Sequence, residues 1–193
     1  RLRITPDIAA MCVSCPTNPT GNVLTQNEFD SLHALADAHG IPLIIDNAYG
    51  HPFPGVIHNG FQPKWQPGMI FSISMSKVGL GPEVIRPFYR ERSDFAKSVL
   101  ASALGDRVPW ALHAQEGAFF LWLWINGLPI PAKELYRRLK ERKVLVIPGH
   151  YFAYGLDQEW RHPHECLRLT YSQPQSIVRE GLEIIADEII RSF

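Results

Sequence analysis

Up to about residue 83, short apolar runs alternate with polar, turn-rich stretches. Met11-Cys12-Val13-Ser14-Cys15 is a β-prone run that stops at Pro16. Thr25-Gln26-Asn27-Glu28 has the form of a capping box, in which a hydroxyl and a carboxylate satisfy the free backbone donors of a helix start. Leu32, Leu35, Ala36 and Ala38 follow at helical spacing, and Gly40 offers a stop. Pro42-Leu43-Ile44-Ile45-Asp46 is a continuous apolar strand ending on a carboxylate, and Ile70-Phe71-Ser72-Ile73-Ser74 is another ending in hydroxyls. Strand, helix, strand and strand predict a mostly parallel sheet covered on both faces. Each strand ends where polar, reactive residue types begin, and open parallel sheets bind ligands at that carboxyl edge.

Past residue 83 the pattern changes. Glu83 to Leu104 reads as a charged helix, and Phe119 to Ile125 as a strand apolar on both faces, broken by Asn126-Gly127-Leu128-Pro129. Lys133 to Lys143 is an amphipathic helix, Val144 to Ile147 a strand ended by Pro148-Gly149, and Cys166 to Thr170 a further strand. Gln175 to Phe193 closes the chain as a helix whose predicted buried stripe is Ile177, Ile184, Ile185 and Ile189. The reading is an α/β protein. Residues 1–83 read as one α/β part, and residues 84–193 as a smaller α+β lobe that opens with a long helix.

Composition narrows the function classes. A chain of 193 residues that is 46% hydrophobic and 20% charged excludes wholesale disorder. Lys plus Arg and Asp plus Glu each number 19, so no overall charge draws the chain to nucleic acid or to an anionic membrane. No run reaches the roughly 18 to 20 apolar residues of a membrane span. Arg1 to Pro6 lacks the pattern of a secretory leader. An odd cysteine count of 3 favours a reducing compartment, and a cytoplasmic location is expected. Cys12 and Cys15 fall on opposite faces of a strand and cannot share a metal. His162-Pro163-His164-Glu165-Cys166 reads as a polar loop, so no metal site is expected. Trp122 and Trp124 read as core or interface packing, with a chance of lining an aliphatic pocket.

The residues that could carry chemistry lie at the strand ends. Pro16-Thr17-Asn18-Pro19-Thr20-Gly21 is a loop that could simply turn the chain. Asp46 could be a cap or a solvated carboxylate, Tyr49 a core aromatic, and Lys77 after Ser74-Met75-Ser76 a surface lysine. Arg168 could be an ordinary ion-pair partner. The order of Asn18, Asp46, Tyr49 and Lys77, each at the carboxyl end of a strand, favours a shared site, whereas nothing local singles out Arg168.

With Asn18-Pro19-Thr20-Gly21, Asp46-Asn47-Ala48-Tyr49, Ser74-Met75-Ser76-Lys77 and Leu167-Arg168-Leu169 in register, the chain resembles the class I/II aminotransferases. These are pyridoxal-phosphate enzymes of fold type I, which implies that residues 1–83 are part of the large cofactor-binding domain and residues 84–193 the interdomain helix and small C-terminal domain. The resemblance implies pyridoxal 5'-phosphate as cofactor, amino acids and 2-oxo acids as substrates, and a homodimer. It assigns Asp46 to the ring nitrogen, Asn18 and Tyr49 to the phenolate oxygen, and Ser74 and Ser76 to the phosphate. Lys77 is then the amine that attaches the cofactor and shuttles a proton, and Arg168, beside Asn18, grips the substrate α-carboxylate. More narrowly, residues 12–22, 45–55, 117–124 and 148–171 resemble a branch that exchanges an amino group between L-valine and pyruvate. Tyr151 or Phe152 would then face the substrate side chain. Two rivals share the scaffold: a pyridoxal-phosphate-binding regulatory domain of a transcription factor, and a C–S lyase.

The sequence also departs from the family pattern. The Gly-containing phosphate turn and the aromatic ring that stacks on the cofactor are not found within residues 1–193. Lys77-Val78-Gly79-Leu80 runs directly into Gly81-Pro82-Glu83, without the stretch that brings a phosphate-clamping arginine; the clamp does not transfer to Arg86. An incomplete chain with a discontinuity near residue 80 is expected.

Overall fold

The three strands of the first sheet are β1 (Met11–Ser14), β2 (Leu43–Asp46) and β3 (Met69–Ser72), in spatial order β1-β2-β3 and all parallel. The computed structural model describes residues 4–51, 54–74, 82–155 and 160–193. It divides into two units, one built from residues up to Pro87 with Glu116–Ala118, the other from Phe88–Gln115 with Phe119–Phe193.

In the first unit, helix α1 (Gln26–Ala38) starts at the expected capping box. The Glu28 amide donates to Thr25 Oγ1 at 3.3 Å, and the Thr25 amide donates to Glu28 Oε2 at 2.8 Å. Gly40, at φ +64°, takes the left-handed conformation that ends the helix. Phe29 and Ala36 are the buried anchors of α1, with Leu32 packed beside them against Leu43, Ile45 and Met69. Ala38, expected in that stripe, is exposed.

Among the described residues only one sheet face is covered, contrary to the expectation. The row Cys12, Ile44 and Ile70 lies on the other face; Cys12 is exposed, and Ile70 is 52% exposed. The connection from β2 to β3 carries no helix among its described residues. Strands β1 and β3 end at Ser14 and Ser72, short of the predicted Cys15 and Ser74.

The second unit takes up most of α2 (Pro82–Leu104), which carries Pro87 inside it, at the division between units. It continues with β4 (Trp110–Leu112), β5 (Phe120–Ile125), α3 (Ala132–Glu141) and β6 (Ile147–Pro148). Two 3-10 helices (Gly149–Phe152 and His162–Glu165), β7 (Cys166–Thr170) and α4 (Gln175–Ile190) complete it. Its sheet is antiparallel in the order β4-β5-β7-β6. Leu121, Leu123 and Ile125 of β5 meet Leu135 and Leu139 of α3 and Leu182 and Ile185 of α4 in one core.

Strand β4 has no counterpart among the expected elements, and three expectations are corrected. The strand expected over Val144–Ile147 pairs only at Ile147 and Pro148, because Lys143 turns the chain at φ +63° and Leu145 is left 74% exposed. The buried stripe of α4 is Val178, Leu182, Ile185 and Ile189, while Ile177 faces outward at 54% exposure. His162–Glu165 is helical rather than an open loop. Its buried Glu165 accepts from Trp124 Nε1 at 3.0 Å and pairs with Arg161 at 2.6 Å. Among the described residues no group of His, Cys, Asp and Glu is arranged to hold a metal ion.

Candidate active site

The parallel register sets Ser14, Asp46 and Ser72 side by side at the carboxyl ends of their strands. Cys15 N–H continues the ladder to the Asp46 carbonyl at 2.9 Å, and Asn47 N–H to the Ser72 carbonyl at 2.9 Å. The half-buried Asp46 carboxylate accepts from Ser14 Oγ at 3.4 Å on one oxygen and from the Ala48 amide at 3.3 Å on the other. Both donors are neutral, and among the described residues no cation pairs with Asp46.

Asn18 stands exposed in a closed loop. Thr17 N–H donates to the Asn22 carbonyl at 2.8 Å and Gly21 N–H to the Thr17 carbonyl at 2.7 Å, so residues 17–22 turn back on themselves. Tyr49 is half-buried in the loop after β2, its carbonyl held by Val56 N–H at 2.9 Å. The next residue, Gly50, leaves little room for a side chain. A Cβ on Gly50 would lie 1.9 Å from Asn47 Oδ1 and 3.2 Å from the Cys15 carbonyl. Ser74 is half-buried just past β3. Ser76 and Lys77 lie outside the described residues.

Arg86 donates through Nε to the Gly55 carbonyl at 3.4 Å and approaches His51 Nε2 at 3.3 Å. Burial first, and the Arg86 charge second, lower the His51 pKa. The structure thus gives Arg86 partners in the loop that follows Tyr49.

Arg168 belongs to the second unit, on β7 opposite Trp122 of β5 and Ile147 of β6. Its guanidinium lies 4.4 Å from the Phe120 ring centre and 5.1 Å from that of Phe152. Trp122 meets Phe152 edge to face at 5.6 Å. Phe152 therefore sits on the arginine itself. The first unit gathers Asn18, Asp46, Tyr49 and Ser74 at one sheet edge, and the second frames Arg168 between two rings. The sequence reading missed Ser14, which the strand register alone would have placed beside Asp46. It also missed Glu116, for which no local pattern gives a signal.

A parallel sheet with its polar groups at the carboxyl edge and an antiparallel sheet backed by helices are the parts of a fold-type I pyridoxal-phosphate aminotransferase. The model for aminotransferase class I and II matches residues 3–78 and 85–185, and the chain belongs to that family. It is 38% identical to the valine–pyruvate aminotransferase of Escherichia coli K12 over 241 aligned positions, covering all of this chain and 58% of that protein. The valine–pyruvate aminotransferase AvtA of Salmonella typhimurium LT2 superposes with a TM-score of 0.92 at 37% identity, covering 99% of this chain and 62% of that one. A putative amino-acid aminotransferase from Psychrobacter arcticum 273-4 gives 0.90 at 34% identity, over 96% of this chain and 54% of its own. The chain therefore spans little more than half the length of these relatives. The family match is interrupted between residues 78 and 85, where the sequence runs from the Lys77 motif into α2.

Proposed function

We propose that this chain serves a transaminase exchanging an amino group between L-valine and pyruvate, with 3-methyl-2-oxobutanoate and L-alanine as products. The observation that carries the reading is Asp46, a carboxylate fixed at the carboxyl edge by a hydroxyl and an amide and left without a pairing cation among the described residues. Such a group suits a protonated heterocyclic nitrogen, because opposite charge favours the cationic form of the ring. The similarity to the valine–pyruvate enzymes supports the choice of substrates.

Pyridoxal phosphate, when bound, supplies an electron sink for the pair left on the substrate Cα. Asp46 would keep the proton on the ring nitrogen. Asn18 and Tyr49 would donate to the phenolate oxygen, and the Ser74 and Ser76 hydroxyls would hold the phosphate. The Lys77 Nζ would take the proton from the substrate Cα and hold it for transfer, a role that requires a free amine in a partly desolvated site. Arg168 grips the α-carboxylate through two parallel hydrogen bonds, and the rings of Phe120 and Phe152 hold its plane. Further parts of the proposal are a homodimer, a cytoplasmic location and a place in amino-acid biosynthesis.

The test is to add pyridoxal phosphate to the full chain, follow the visible absorbance of the bound cofactor, and then supply valine and pyruvate. The expected result is an absorbance band absent in Lys77→Ala, and alanine formation that falls by about 10²- to 10⁴-fold in that variant. Asp46→Ala is expected to leave the circular dichroism unchanged while lowering turnover. A band that persists without Lys77, or ammonia release in place of alanine, would overturn the reading.

A further inference from the structure

Residues 116–118 follow β4 in sequence but pack within the first unit, against both arms of the Asn18 loop. On the C-terminal arm, Glu116 N–H donates to the Gly21 carbonyl at 3.0 Å, and Glu116 Oε2 accepts from Val23 N–H at 3.1 Å. One residue thus brackets the stretch that leaves the loop. On the N-terminal arm, Gly117 lies so close that an added Cβ would come within 2.7 Å of Pro16 Cγ and 2.5 Å of the Val56 carbonyl. The Glu116 carbonyl accepts from His58 N–H at 2.6 Å, and Ala118 N–H donates to the Val56 carbonyl at 2.9 Å. Ala118 itself adopts φ +58°, a conformation that L residues rarely take. The second carboxylate oxygen of Glu116 accepts from Asn59 Nδ2 at 3.4 Å, and Asn59 Oδ1 accepts from Phe61 N–H at 3.0 Å.

We infer that Glu116 is a positioning residue that fixes the Asn18 loop at the cofactor's phenolic oxygen, an inference that rests on the proposed pyridoxal-phosphate site. The physical argument has two parts. Holding the arms of a loop restricts where its tip can stand, and Asn18 lies between arms gripped at Pro16, Gly21 and Val23. A carboxylate accepting from a backbone amide makes a charge-assisted bond, stronger than the water contact that would replace it. Glu116 does not touch the cofactor in this account; it acts through Asn18.

The experiment compares the full chain with Glu116→Ala, Glu116→Gln and the double variant Glu116→Gln/Asn59→Asp. In the double variant the amide oxygen introduced at position 116 still accepts from Val23, and the accompanying NH2 group donates to the carboxylate introduced at position 59. Hydrogen exchange of the Val23 amide reports the grip. Pyridoxal phosphate affinity and the pH midpoint of the bound cofactor's absorbance report the consequence. Glu116→Ala is expected to speed Val23 exchange and weaken cofactor binding about tenfold. It should also move the pH midpoint upward, because a looser Asn18 donor stabilises the phenolate less. The double variant is expected to recover most of both. Glu116→Gln alone, which sets its NH2 group against that of Asn59, is expected to fall between the two. Unchanged Val23 exchange in Glu116→Ala would overturn the inference. So would faster exchange with an unchanged midpoint and affinity, since Glu116 would then be structural only. If the unsubstituted chain binds no cofactor, the site reading fails and the positioning role fails with it; if it binds and Glu116→Ala binds equally, only the positioning role fails.

Discussion

Arg168 gains its orientation from two phenyl rings. The guanidinium lies over Phe120 at 4.4 Å and over Phe152 at 5.1 Å, so two aromatic faces attract the cation. Phe120 is buried in β5, whereas Phe152 ends a 3-10 helix and is half-buried. Removing the ring of Phe152 leaves the sheet intact and takes away one wall. A cation–π contact in a partly buried setting contributes about 1 kcal/mol, so on the proposal that Arg168 grips the α-carboxylate, Phe152→Ala is expected to weaken 2-oxo acid binding by about fivefold. Trp122, edge-on to Phe152 at 5.6 Å, supplies a fluorescence readout of that binding. Binding equal to that of the unsubstituted chain would show that the Phe152 ring does not set the guanidinium.

At the scale of elements, α1 depends on its first turn. Thr25 and Glu28 answer each other's backbone donors, and the hydroxyl and carboxylate also meet at 2.8 Å. The helix covers one face of the parallel sheet, so its start is coupled to Phe29 and Ala36 in that core. Thr25→Ala is expected to lower stability by about 1 kcal/mol, read as a lower urea midpoint with unchanged slope. Such features are legible in sequence because they are local. The capping box, the β2 run and the order of Asn18, Asp46, Tyr49 and Ser74 after successive strands all lie within a few residues of their cause. What was not legible depends on distant partners. Strand β4 exists because Trp110 and Leu112 pair with Ile125 and Leu123 of β5. The stripe of α4 is rotated because Leu182 and Ile185 meet the core and Ile177 does not. Glu116 reaches Val23 and Gly21 across most of the first unit's sequence, and Phe152 reaches Arg168 from a 3-10 helix whose run carries no regular apolar period.

Over the whole molecule, charge is balanced at neutral pH, with 19 basic and 19 acidic side chains and 8 histidines. No global field opposes folding, so the first response to mild acid comes from particular histidines. Burial lowers the pKa of His51, His113 and His150, and in each case a nearby cationic or titratable group adds to it. For His51 that neighbour is Arg86, for His113 it is His162, and for His150 it is His164, stacked at 5.6 Å, with Lys133 contributing. The sign follows from linkage. A histidine whose folded pKa is depressed binds its proton more readily in the unfolded chain, so its contribution is complete above the unfolded value of about 6.5. That contribution is lost as pH falls through the folded value. The thermal midpoint is therefore expected to be flat above about pH 6.5 and to decline toward about pH 5.5, where the carboxylates remain ionised. Arg86 faces His51 Nε2, so a protonated ring there loses an acceptor and gains a repulsion. His51→Gln, which keeps an acceptor without a titrating ring, and His164→Gln, which removes the partner of His150, are each expected to flatten the decline. Slopes identical to that of the unsubstituted chain in both variants would place the acid response outside these pairs.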